Sequence, residues 1–229
     1  KERKTIYLCL AHMSEEGMEQ KYVKEAFDTN WVVPLGPNVN GFEDDLKTFV
    51  SKNSNGTDLQ KEVVALSAGT AAVHLALLAC GVGPGDEVCV QSFTFCASSH
   101  PITYLGATPV FIDSEPDTWN MDPELLEKAS IGRKEKTGKY PKAIVPVALY
   151  GMPYDCDRIM AIADKYGIPV VEDAAEGFGS RYKGQVLGTF GKFGVLSFNG
   201  NKMITTSGGG ALICRNAEDK NQIMWYATQ

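Results

Sequence analysis

Residues 62–81 read EVVALSAGTAAVHLALLACG, and the fold class turns on them. The first seven are short, aliphatic and partly β-branched, as a strand requires. From Thr70 to Gly81 the apolar residues fall at helical spacing. Gly83-Pro84-Gly85-Asp86 then breaks the chain with strong turn chemistry. The same alternation extends towards the C-terminus: a strand over 87–95 (EVCVQSFTF), a helical stretch near 97–105, a strand over 108–115 (TPVFIDSE) and a helix over 122–129 that opens on Asp122-Pro123. The polar, lysine-rich segment from Ile131 to Tyr140 reads as a loop. A strand over 142–151, a helix over 155–167 and a strand over 168–175 (IPVVEDAA) follow, and beyond Gly177 FGVLSF and ALICRN read as short strands. Towards the N-terminus, residues 1–55 read as an appended arm with one helix near 18–27, a Pro/Gly loop (WVVPLGPN) and a second helix.

Strands alternating with helices, and apolar on both faces, predict an α/β domain with a mostly parallel sheet covered by helices on both sides. The 229 residues suit one large domain or two small ones, and 44% hydrophobic with 22% charged residues supports a sizeable core. The formal net charge of -6, with Arg133–Lys136 as the densest basic run, disfavours nucleic-acid binding. No apolar run approaches the length of a membrane helix. The KERKTIYLCLAHM start is too short and too interrupted for a signal peptide, and reads as a leading strand or arm. Cys9, Cys80, Cys89, Cys96, Cys156 and Cys214 form no CxxC pair, so buried reduced thiols in a cytoplasmic protein are expected, with no metal site.

Ligands of such sheets bind beyond the carboxyl ends of the strands. The first strand runs into Gly69-Thr70 at a helix N-terminus, where amides, a hydroxyl and the helix dipole suit a phosphate. Taken alone, that pair is more often a plain cap. Phe95 ends the second strand, where an aromatic can cover a planar ligand or simply fill the core. Glu172-Asp173 close an apolar strand, and a carboxylate there needs a partner, a cap or a salt bridge. Lys202 sits in LSFNGNKMITTSGGGA (196–211), between a turn-like Asn-Gly-Asn and a run of glycines, company that a solvated lysine does not need. Other motifs fail: GTFGKFG lacks Walker spacing, GVGPG precedes a strand rather than a helix, and HExxH and GxSxG are absent. His12, His74 and His100 have no metal spacing. A phosphate cradle, an aromatic cover, a strand-end acid and a lysine together suit pyridoxal phosphate (PLP), which needs an amine to hold it and an acid at its ring nitrogen.

SAGTAAVHLALLACGVGPGDEV (67–88), SFTFCASSHPITYLGATPVFID (92–113), VEDAAEGFGSRYKG (171–184) and GTFGKFGVLSFNGNKMITTSGGGALI (188–213) follow in the order and spacing of one family. The chain resembles the DegT/StrS nucleotide-sugar aminotransferases, enzymes of the PLP-dependent transferase fold type I. The resemblance implies Lys202 as the catalytic, Schiff-base lysine and Asp173 at the pyridine nitrogen. It places Phe95 against the ring, and Gly69, Thr70 and Ser197 at the phosphate. Glu176 stands where many relatives have Gln or His. A carboxylate beside the ring's phenolate oxygen would be repelled, so Glu176 is expected to be protonated or turned towards the sugar. NWVVPLGPN (30–38), TWNMDPELLE (118–127) and the Lys202 stretch are similar to the branch that aminates UDP-4-keto-6-deoxy-N-acetylhexosamines, as in bacillosamine or legionaminic acid synthesis. That branch puts Asn30, Trp31, Val32 and Val33 near the substrate.

The implied partners are an amino-acid donor such as L-glutamate, a nucleotide sugar for polysaccharide biosynthesis, and a second subunit in a homodimer with a shared active site. The family's chains continue into a small C-terminal domain. The expectation is therefore an N-terminal arm over 1–55 and a PLP-binding large domain over 56–229, with the small domain absent. Ser67-Ala68-Gly69 stands where relatives often have Asn-Ser-Gly. Two alternatives belong to the same fold. A sugar dehydratase would carry histidine in place of Lys202, and a non-catalytic ligand-binding relative would not need the Lys202, Asp173 and Ser197 set.

Overall fold

The computed structural model describes residues 12–228, so the leading strand or arm read at the N-terminus lies largely outside the described residues. Two helices come first, α1 (Met18–Asp28) and α2 (Pro37–Ser51). The alternating region then gives β1 (Glu62–Leu66), α3 (Gly69–Ala79), β2 (Glu87–Gln91), α4 (His100–Tyr104), β3 (Thr108–Ile112), α5 (Pro123–Thr137), β4 (Ala143–Val145), α6 (Cys156–Tyr166) and β5 (Val171–Asp173). A small hairpin, β6 (Arg181–Tyr182) and β7 (Gln185–Val186), precedes β8 (Phe193–Ser197), β9 (Gly210–Cys214) and α7 (Ala217–Thr228).

The strands lie in the order β1-β9-β8-β5 and β3-β2-β4. Parallel bridges Ile144↔Val170 and Val147↔Asp173 join β4 to β5, so the two sets form one continuous sheet. Within this sheet, among the described residues, β9 alone runs antiparallel to its neighbours; β2 with β3 and β4, and β5 with β8, pair in parallel. The mostly parallel α/β architecture predicted from the alternation is therefore present.

Alternation along each strand divides the core between two faces. Val63, Cys89, Ile144, Val170, Leu196 and Ile213 point to the side packed with residues of α2, α5 and α6, including Val50, Leu126 and Ile159. Val64, Val88, Val90, Val145, Val171, Val195 and Leu212 point to the opposite side, with Val73, Leu77, Ile102 and Ile223 of α3, α4 and α7. Leu46 and Val50 thus place α2 in the same core as the sheet, whereas α1 buries no residue. No helix among the described residues is long and apolar enough to cross a membrane.

Three expectations are corrected. The segment expected as a loop from Ile131 is largely helical: α5 continues to Thr137 and ends at Gly138, whose φ of 78° is the left-handed C-terminal conformation that glycine favours. Arg133 explains the continuation, since its guanidinium pairs in fork fashion with Glu87 of β2 and ties the helix to the sheet. The strands are also shorter than their apolar runs. β4 stops before Pro146, which has no N–H for a ladder, and β2 stops at Gln91. Finally, Cys96 is exposed, while Cys89, Cys156 and Cys214 are buried and burial pushes the Cys89 and Cys214 thiols up to about 12.

Gly194 of β8 lies directly beneath the Gly188 backbone, and a Cβ there would collide with the Gly188 carbonyl. Backbone cannot swing aside as a side chain can. Gly194→Ala is expected to lower the unfolding free energy by about 3 kcal/mol, read from the urea midpoint.

Candidate functional site

The carboxyl ends of β1, β2, β4, β5 and β8 surround a cavity of about 270 Å³. At its floor α3 begins directly after β1. Its N-cap residue is Ala68, and no side chain caps the helix, so the plain-cap reading of Gly69-Thr70 fails. The first-turn amides and the positive end of the dipole face the cavity that Gly69 and Thr70 line. Ser197, the last residue of β8, stands across from them. A Cβ at Gly69 would lie 2.9 Å from the Ser197 Cβ, so the glycine lets the helix end approach that hydroxyl.

Asp173 ends β5 inside the cavity and is buried. Its Oδ2 accepts from the Ser98 hydroxyl at 2.6 Å, and its Oδ1 accepts from the Ala175 N–H at 3.1 Å. Ser98 spends its proton on Asp173, so in its 2.8 Å contact with Thr94 it is the acceptor and Thr94 the donor. Burial pushes the Asp173 carboxyl above the usual carboxylate range, while the Ser98 and Ala175 bonds and the Lys202 charge pull it down. The neighbouring Glu172 points to the other face. It is buried too, and accepts from the N–H groups of Gly188 (2.9 Å), Phe190 (2.6 Å) and Gly191 (2.6 Å). Desolvation also raises its pKa.

Lys202 lies in the connection between β8 and β9, with its side chain only 13% exposed. Its Nζ is 3.5 Å from Glu176 Oε1, and Glu176 Oε2 accepts from the Tyr150 N–H at 2.7 Å. Glu176 therefore faces an ammonium and an amide. Phe95, 69% exposed, lines the mouth together with Leu149, Asn199 and Asn201.

The structure thus brings Gly69, Thr70, Phe95, Asp173, Glu176, Ser197 and Lys202 to one cavity. It does not bring Asn30, Trp31, Val32 and Val33 there. They are exposed between α1 and α2, with the Trp31 ring packed over Gly36. Sequence reading missed Thr94, Ser98 and the Tyr150 amide. Thr94 and Ser98 are four residues apart around a turn, which is a weak signal, and a backbone donor leaves no signal at all.

Fold and site together are those of an aminotransferase-type α/β protein. The chain belongs to the DegT/DnrJ/EryC1/StrS aminotransferase family, whose profile matches residues 13–229. It is 50% identical over 226 residues to EpsN of Bacillus subtilis (strain 168), whose inferred name is pyridoxal phosphate-dependent aminotransferase; the match covers 99% of this chain and 55% of that protein. It is 41% identical over 204 residues to the GDP-perosamine synthase of Caulobacter vibrioides, covering 89% of this chain and 51% of that protein. A solved structure of a DegT DnrJ EryC1 StrS aminotransferase from Brucella abortus superposes with a TM-score of 0.79 at 32% identity, covering 93% of this chain and 58% of that one. The chain spans about half the length of the curated relatives it matches.

Because the folded Asp173 carboxyl titrates above its unfolded value, the stability it contributes is full below the ordinary carboxylate range. That stability is lost as pH rises through the raised value. Asp173→Asn removes the loss. The cofactor-free variant is expected to melt above the parent at about pH 7, with the gap closing towards about pH 4, as calorimetry across that range would show.

Proposed function

We propose that the chain is the cofactor-binding part of a PLP-dependent aminotransferase that moves an amino group from an amino acid, L-glutamate by resemblance, to a nucleotide-linked keto sugar. One observation carries the reading: the Lys202 amine and the buried Asp173 carboxyl share a single cavity with the uncapped N-terminus of α3 and the Ser197 hydroxyl. These residues fit the cofactor. The absence of a Cβ at residue 69 leaves the helix terminus close to Ser197, and the buried acid has lone pairs beyond those taken by Ser98 and Ala175.

Bound pyridoxal phosphate would supply an electron-withdrawing ring that stabilises negative charge at a carbon beside the transferred nitrogen. The chain does the rest. The Gly69 and Thr70 amides and the Ser197 hydroxyl bind the phosphate, and the α3 dipole adds to their pull. Asp173 holds a proton on the ring nitrogen, and Ser98 and Ala175 keep its carboxyl oriented. Phe95, which lines the cavity, would cover a planar ring and limit water. Lys202 would supply the amine that anchors the cofactor, and the same amine, when free, would act as the general base that takes a proton from the donor's α-carbon and as the acid that gives it back. Glu176 keeps that amine within the cavity.

For the acceptor we favour a UDP-linked 4-keto-6-deoxy-N-acetylhexosamine, on the similarity of residues 30–38, 118–127 and the Lys202 stretch to that branch. The exposed Asn30–Val33 contact with substrate and the homodimer with a shared site rest on resemblance alone. A GDP-linked keto sugar is the second reading, favoured by the GDP-perosamine synthase relative. Lysine at position 202, where the dehydratases carry histidine, argues against water loss as the reaction.

The test is the visible spectrum of the full chain with pyridoxal phosphate, before and after L-glutamate. A band that fades with glutamate, together with a Lys202→Ala variant that lacks it and has lost at least about 1000-fold in amine transfer, is the expected result. No band, or one indifferent to Lys202, would leave a ligand-binding protein as the better reading. Competition between UDP- and GDP-linked keto sugars for restoring the band decides the nucleotide.

A further inference from the structure

Two side-chain amides outside the cavity are completely buried, Gln91 at the end of β2 and Asn120 between β3 and α5. Gln91 Oε1 accepts from the N–H groups of Met121 (2.8 Å) and Val147 (3.3 Å), and its Nε2 donates to Phe93 O (3.0 Å) and Asn120 Oδ1 (3.2 Å). All four of its hydrogen-bonding positions are used. Asn120 Oδ1 also accepts from the Leu149 N–H at 3.1 Å, and its Nδ2 donates to Met152 O at 2.9 Å. Backbone donors fix both amide orientations. The pair therefore joins the segments that leave β2, β3 and β4.

Two residues beside this pair hold a backbone conformation that side chains disfavour. Trp119, next to Asn120, has φ 65°, and Tyr150, next to Leu149, has φ 52°. Neither is glycine, and both rings are exposed; the Trp119 ring meets the Phe93 ring edge-on at 5.9 Å, but packing of its ring does not hold the Tyr150 turn in place. Hydrogen bonds do. The Tyr150 turn matters for the site because its N–H donates to Glu176 Oε2, whose other oxygen faces Lys202 Nζ. A continuous chain runs from Gln91 through Asn120, the Leu149-Tyr150 turn and Glu176 to the Lys202 amine.

We propose that Gln91 and Asn120 are positioning residues for Lys202: they hold the strained Leu149-Tyr150 turn so that its amide orients Glu176, and Glu176 sets the amine in the cavity. The inference rests on the cofactor reading above, since it concerns the placement of the amine that the cofactor meets. It assigns no contact with cofactor or substrate to either amide.

The probe is pyridoxal phosphate itself, added to the cofactor-free full chain. The Lys202 nitrogen bonds to the aldehyde carbon and water leaves. Borohydride then delivers hydride to that carbon, a solvent proton settles the nitrogen, and mass spectrometry of the Lys202 peptide counts the product. Asn120→Leu removes the acceptor for Leu149 and Gln91 and the donor to Met152, while Asn120→Asp keeps an oxygen for Leu149 and Gln91 and sets a carboxyl oxygen against Met152 O. Capture is expected to slow about fivefold in Asn120→Leu and to stay within about twofold of the parent in Asn120→Asp, with both variants melting lower. Rates that follow melting temperature across the two variants, or an Asn120→Leu rate equal to the parent's, would overturn the inference. If Asn120→Leu does not fold, Asn120→Ser removes the same acceptor with less disturbance and is judged by the same comparison. A parent that captures no pyridoxal phosphate defeats the cofactor reading instead.

Discussion

No side chain fits between the ends of β1, β8 and β9, and the site depends on that. A Cβ at Gly210 would strike the Ala68 backbone, and one at Gly69 would crowd Ser197. Bare glycine at these points lets the turn after β1 lie against β9 and the start of α3 lie against the end of β8. The bridge Ala68↔Gly209 and the bond from Gly209 N to Ser67 O carry the contact further. A helix terminus reaches a strand-end hydroxyl only by such close approach. The floor of the cavity is thus a product of backbone packing, and the polar side chains are laid over it.

Burial then sets the electrostatics. β5 places consecutive carboxylates on opposite faces of the sheet, and each is desolvated. Glu172 is compensated by three backbone amides from 188–191, which fixes the loop leading into β8. Asp173 has one hydroxyl and one amide, and so retains capacity for a further donor. The two neighbouring acids thus differ in the number of local donors: Glu172 is spent on structure, and Asp173 faces the cavity with an open acceptor position. Lys202, opposite Glu176, supplies the positive charge of the cavity.

Much of this was legible from residue order. The strand-helix alternation over 62–175, the acids at the end of IPVVED and the lysine among glycines come from local periodicity and local chemistry, and the strand-end rule selects the Glu172-Asp173 pair as well as Gly69-Thr70. The α5 extension was not legible. A lysine-rich segment looks like a loop until Arg133 finds Glu87, a partner 46 residues away. The exposed Trp31 and its neighbours resemble a substrate contact in sequence; in the fold they lie exposed between α1 and α2 and do not line the cavity.

By itself, then, the sequence determined the α/β class, the two-faced core, and which lysine, aspartate, serine and glycine are candidates, because those depend on periods of 2 and 3.6 residues and on side-chain chemistry. Only the tertiary structure decided which of Glu172 and Asp173 meets the cavity, that Ser98 and Thr94 stand behind Asp173, and that Gln91 and Asn120 tie three strand ends together. Those facts are made by hydrogen bonds between residues up to 75 positions apart, several of them to backbone amides, which every residue but proline offers and no sequence pattern marks.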